Sequence, residues 1–176
     1  MTLDPTNSDI AYYIAALYAD KDDMENANIY AQKSLALNKT NKQAQELVKN
    51  ISENLIAQNL DNAIAFFDQE KYTESLNLIN QVLASDTKNA YALYYRGMIY
   101  DTQKKYNQAI TDYKKAISVN PDLLIVNYLI GVDYDMQEQY KNAMSYYKAF
   151  IATYNEDDDY LKYAKTRIGE LAPYVK

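Results

Sequence analysis

The sequence predicts an all-α protein, a solenoid of stacked helical hairpins closed by a C-terminal capping helix, and two observations carry that expectation. Tyr72, Tyr106 and Tyr140 stand 34 residues apart, and their surroundings keep the same phase. Nine residues before them lie Ala63, Gly97 and Gly131, three residues after them Ser75, Ala109 and Ala143, and between these fall Phe66, Tyr100 and Tyr134. A fixed period of this length marks an array of stacked helical units. Only three Gly and three Pro are spread over 176 residues, which leaves long stretches free to be helix.

Each unit reads as two antiparallel helices, A then B. In the clearest one, Ala90–Gln103 is helix A, Lys104 and Lys105 the turn, and Tyr106–Val119 helix B. Asn120-Pro121-Asp122 stops helix B, because Pro cannot continue a helix and restricts the residue before it, and Pro121 also suits the start of the next helix. Small residues let the two helices approach, and the aromatics fill the space between hairpins.

At these residues the chain resembles the tetratricopeptide repeat (TPR) family. In 90–123 the match rests on Gly97, Tyr100, Tyr106, Ala109, Tyr113, Ala116 and Pro121. In 124–157 it rests on Gly131, Tyr134, Tyr140, Ala143 and Tyr147, with Phe150 in place of the second small residue and Asn155 in place of Pro. It weakens in 56–89 (Ala63, Phe66, Tyr72, Ser75, Ile79) and again in 8–41 (Ala15, Tyr18, Ala27, Ser34, with Met24 at the turn Tyr position). The resemblance implies a right-handed solenoid of four repeats at 8–41, 56–89, 90–123 and 124–157.

Three segments fall outside that register. From Ala27 to Ser75 the spacing is 48, one repeat plus 14 residues, and the extra 42–55 carries Ala44, Val48, Ile51 and Leu55 at helical spacing. Since 14 residues are about four turns, helix A of the second repeat is expected to extend backwards into one helix from about Asn41 to Gln69. A break near Ser52 that separates two arrays is the alternative, because Asn50, Ser52 and Asn54 can each cap a helix. Residues 1–7, with Leu3-Asp4-Pro5-Thr6-Asn7, read as the tail of a preceding repeat. Residues 158–176 read as the capping helix that a solenoid needs. Asp157-Asp158-Asp159 oppose the dipole at its start, with Tyr160, Ala164, Ile168 and Leu171 on its apolar face and Lys162, Lys165 and Arg167 outward.

The absence of Cys and His removes thiol nucleophiles, disulfides, the usual zinc sites and the commonest general base, and neither a metal nor a cofactor is expected. The formal charge of −6 is evenly spread, with no basic face for a phosphate backbone, so nucleic acid is not an expected partner. No apolar run approaches the roughly 20 residues that span a bilayer. Met1 is followed at once by a polar segment unlike a signal peptide, and a soluble chain, cytoplasmic by preference, is expected. Asp133 and Asp135 stand two apart on one helix and point to different faces, and there is no Gly-rich phosphate loop, so catalysis has little support.

The resemblance implies instead a binding scaffold whose A helices line a groove for a protein or peptide. That geometry turns Tyr12, Leu60, Phe67, Tyr91, Tyr94, Met98, Tyr128 and Val132 toward the groove. An acid also stands near the end of each helix A, Asp20, Asp68, Asp101 and Asp135, where the helix dipole disfavours it by about 0.3–1 kcal/mol. Two readings stay open: a ligand bearing Lys or Arg, or the ordinary suitability of Asp before a turn. With Asp101 and Asp135 added, the groove favours peptides with apolar and basic residues. The TPR subclass that holds a C-terminal carboxylate with Lys and Asn does not match these faces. Self-association into a homo-oligomer, and a role in positioning an activity encoded upstream, are the alternative functions.

Overall fold

The computed structural model describes residues 7–175. Its helices are α1 (Ser8–Ala19), α2 (Met24–Leu37), α3 (Lys42–Asp68), α4 (Tyr72–Ser85), α5 (Ala90–Thr102), α6 (Tyr106–Val119), α7 (Ile125–Met136), α8 (Tyr140–Thr153) and α9 (Asp159–Leu171). A single 3-10 turn follows at Ala172–Tyr174, and no strand occurs among the described residues. The chain divides after Gln58 into two compact units, and α3, 27 residues long, contributes to each. Helix α3 runs unbroken through Ser52. The expectation for Leu3–Thr6 lies outside the described residues.

The local punctuation repeats along the chain and explains where helices stop. After helix B, Asn38, Asp86 and Asn120 each accept the N–H two residues on, an Asx turn that diverts the backbone from the helix. Asn7, Asn41 and Asn89 then cap α1, α3 and α5 by accepting orphan N–H groups of the first turn. Leu124 at the corresponding place offers no such cap, and Pro121 sits in the turn rather than opening α7. Between helices A and B, Asp22, Glu70, Lys104 and Glu138 all adopt a left-handed conformation with φ near 60°. The turn therefore reverses the chain at one residue in each hairpin.

In the first unit α1 packs on α2, and Ala11 and Ala15 of the one and Ala27 and Ala31 of the other are all buried. Tyr18 and Tyr30 stack across the hairpin at 5.5 Å. Ser34 donates to the Ser8 carbonyl at 2.8 Å, and the Asn41 amide bonds both serine hydroxyls, so the buried polar groups satisfy one another.

In the second unit α5 pairs with α6 and α7 with α8, each hairpin packing on the next. Gly97 and Gly131 are places where only a residue without a Cβ fits against its neighbour. A Cβ at Gly97 would lie 2.5 Å from the Tyr113 ring, and one at Gly131 would lie 2.7 Å from Tyr147. Both rings are wholly buried, so the close approach expected at these glycines is helix A against an aromatic ring of its own helix B. Ser75, one repeat earlier, donates to the Ala63 carbonyl at 2.8 Å. Burying side chains such as Ile79, Ile99, Ile130 and Phe150 stabilises the fold by about 1.5–3 kcal/mol each.

Helix α9 starts at the acidic run as expected, with Asp158 as N-cap accepting from Leu161. Two details differ. Leu161, not Tyr160, is buried with Ala164 and Leu171, because the helix begins at Asp159 and turns Tyr160 to its flank, 49% exposed. Arg167 does not face outward either: it reaches back to α7.

Candidate functional site

The predicted A-helix residues fall into groups with different surroundings. Tyr12 lies in the first unit, its ring 5.5 Å from Tyr13. In the second unit Leu60 is half-buried on α3, and Phe67 packs edge-on to Tyr95 of α5 at 5.4 Å. Tyr95 in turn meets Tyr94 at 5.1 Å. Tyr95 was absent from the sequence-based set, yet it joins Phe67 to Tyr94. Tyr91, 50% exposed, completes this aromatic surface at the start of α5. Tyr94 and Met98 are half-buried and rest on the core formed by Ala109, Ile110, Tyr113, Val126 and Ile130.

Tyr128 and Val132 on α7 are less available. Tyr128 is surrounded by Tyr147, Phe150, Tyr160 and Tyr163, with centroids at 5.2–6.0 Å. Val132 packs on the cluster that holds Met144, Tyr147 and Phe150. The capping helix thus adds Tyr160 and Tyr163 to the aromatic set. Burial raises the Tyr94 hydroxyl above its ordinary value, with Tyr95 and Tyr160 adding to the effect.

Two acids show the sharpest contrast. Asp135 accepts two hydrogen bonds from Arg167 of α9, at 2.6 and 2.9 Å, and a weaker one from the Tyr147 hydroxyl at 3.4 Å. Arg167 comes inward because this bidentate pairing is stronger than an exposed charge in water. Asp101, half-buried on α5, instead faces Asp133 of α7. Asp133 is wholly buried, and neither of its carboxyl oxygens nor the buried Tyr113 hydroxyl has a hydrogen-bond partner. Burial, and then the Asp101 charge, raise Asp133 to about 9, so it holds a proton at neutral pH. Asp101 is also raised, by burial.

The two arrangements are the same register occupied differently. Asp101 and Asp133 are 32 residues apart, as are Asp135 and Arg167, and Tyr113 follows Asp101 by 12 as Tyr147 follows Asp135. The repeat thus sets the end of one A helix beside the middle of the next element. Sequence reasoning weighed Asp133 only against Asp135 on its own helix. The signal that finds its partner is a separation of one period less two.

Basic residues are scarce on this face. Arg96, the only base on α5, donates to both oxygens of buried Asp112 at 2.6 and 2.9 Å. Lys114 of α6 donates to the Tyr134 hydroxyl at 2.8 Å and lies over the Tyr134 and Tyr146 rings at 5.2 and 5.5 Å. No group of three or more potential metal-ligating side chains occurs among the described residues.

Residues 90–123 match the family model described as tetratricopeptide repeat. That hairpin, α5 with α6, is a tetratricopeptide repeat. No curated protein matches it. Among solved structures, the TPR domain of Sgt2 from Aspergillus fumigatus is 20% identical, over 68% of this chain and 78% of that one, with a TM-score of 0.57. The second TPR domain of human RPAP3, in complex with the HSP70 peptide SGPTIEEVD, is 18% identical over 69% and 98%, with a TM-score of 0.59. A tetratricopeptide repeat protein from Parabacteroides merdae is 18% identical over 95% and 60%, with a TM-score of 0.55. The fold they share with this chain is the all-α TPR fold. No helix among the described residues is long and apolar enough to cross a membrane.

Proposed function

We propose that the chain is a non-catalytic scaffold that captures a peptide on the A-helix face of its second unit. The observation that supports this most is the aromatic surface Phe67–Tyr95–Tyr94 with exposed Tyr91 and half-buried Met98, on the helix that carries Asp101 and whose one base, Arg96, is held by Asp112. Rigid aromatic rings and a thioether offer large contact area at modest entropic cost, and such side chains dominate binding hot spots. Leu60 extends the apolar surface on α3. Tyr128 and Val132 of α7 add apolar surface that packs toward α9, and Asp135 is committed to Arg167.

The ligand this face suits carries an apolar or aromatic anchor next to Lys or Arg. The RPAP3 domain binds a peptide ending in acidic residues, but the α5 face here offers no uncommitted cation to receive one, since Arg96 is held by Asp112. A peptide array tests both points. Aromatic–basic sequences are expected to bind best, and Tyr94→Ala to weaken them more than about fivefold, the loss of over 1 kcal/mol that marks an anchor. Preferential binding of acidic C-terminal peptides, or indifference to Tyr94→Ala, overturns the assignment.

A further inference from the structure

The Asp101–Asp133 pair is unlike the other charged contacts of the second unit. At the next junction the equivalent register holds a guanidinium, with Arg167 bridging both oxygens of Asp135. Here the second position is another carboxyl. A fully buried acid with both oxygens unpartnered is costly unless something offsets it, and holding a proton offsets only part. Around Asp133 the acting groups are Asp101 from α5 and the Tyr113 hydroxyl from α6. Gln137 of α7 donates to the Asp133 backbone carbonyl rather than to its side chain. Lys114 on α6 is turned to Tyr134, and Arg96 on α5 to Asp112. On α8, Tyr147 donates to Asp135, and no cation among the described residues bonds to this pair.

We propose that the Asp101–Asp133 pair is a subsite for one cationic side chain, a guanidinium or ammonium, presented by the bound peptide. Asp101 is the half-buried member and meets the cation directly. Asp133 lies behind it and supplies a second negative charge once its proton passes to the buffer. The cation takes, from outside, the part that Arg167 plays for Asp135. Capture is then coupled to release of a proton, and it strengthens as pH rises through the range in which free Asp133 still holds its proton. Salt weakens it less than an exposed ion pair, because one partner is buried.

This subsite rests on the peptide-binding reading, yet it can be probed without a peptide. The probe is N-acetyl-arginine amide, with N-acetyl-citrulline amide as its uncharged counterpart, titrated into the full chain carrying carbon-13 at the aspartate carboxyls. The arginine derivative is expected to shift the Asp101 and Asp133 carboxyl signals, to lower the titration midpoint of Asp133, and to bind at least tenfold more weakly to Asp101→Asn. The citrulline derivative is expected to move neither. If both signals ignore the arginine derivative, or follow the two probes equally, the subsite is refuted. Because the decisive signals come from the unmutated chain, poor folding of the variant does not blunt the test. Silent carboxyls with aromatic peptides still bound at Tyr94 dispose of the subsite alone. Responsive carboxyls with no peptide bound dispose of the peptide reading alone.

Discussion

Gly97→Ala lowers stability by about 1–3 kcal/mol, seen as a fall of several degrees in the melting temperature. The added Cβ would sit 2.5 and 2.6 Å from two ring carbons of Tyr113. That ring is wholly buried, so it cannot swing into solvent, and relief requires the two helices of the hairpin to part. Gly131→Ala meets Tyr147 at 2.7 Å and costs a similar amount. Gly169 is the control: in α9 nothing lies within 4 Å of its Cβ, and alanine there gains up to about 1 kcal/mol from helix propensity. Thermal melts in which Gly97→Ala and Gly169→Ala behave alike would show that the glycines do not mark a close contact.

Stability falls as pH rises from about 4 to about 9, and Asp133→Asn removes much of that slope. The folded chain holds a proton on Asp133 up to about 9, whereas an unfolded Asp releases it near pH 3.9, roughly the model-peptide value. Between those values the folded state binds more protons than the unfolded one, so the Asp133 contribution is full below the unfolded value and is lost as pH climbs. The slope from one proton is at most about 1.4 kcal/mol per pH unit. Asp101, raised in the same direction, adds to it. Asparagine keeps the shape and donates an amide N–H to Asp101 without a proton to lose, so the variant is expected to be the more stable protein at pH 8 by a few kcal/mol. Denaturant melts at pH 5, 6.5 and 8 decide the matter. Parallel slopes in the wild type and Asp133→Asn would mean that Asp133 does not hold its proton in the folded chain.

The hairpins were legible because their determinants are local and repeated. The period of Gly97 and Gly131, the turn residues Tyr72, Tyr106 and Tyr140 and the Asn120-Pro121 stop are each read within a few residues. The continuous α3 was legible for the same reason, since 42–55 adds whole turns without Gly or Pro. What escaped depended on the partner across a junction. Arg167 reads as an outward base on a helical wheel, and only packing of α9 on α7 brings it to Asp135. The buried face of α9 was read one residue early, at Tyr160, because the start of the helix was not fixed by pattern. Tyr95 and Tyr160 join the aromatic surface through contacts between elements, which periodicity along one helix does not reveal.

The central claim, that a peptide is captured on the α5 face, is tested most directly by mapping where one lands. The strongest aromatic–basic peptide from the array is titrated into the nitrogen-15-labelled chain, and the amide signals are followed. The account predicts that shifts concentrate on α5 around Tyr91, Tyr94 and Met98 and on α7 near Asp133, while Lys115 and Ser118 on the outer face of α6 stay still. Shifts gathered on α6 or within the first unit, with α5 silent, would contradict it.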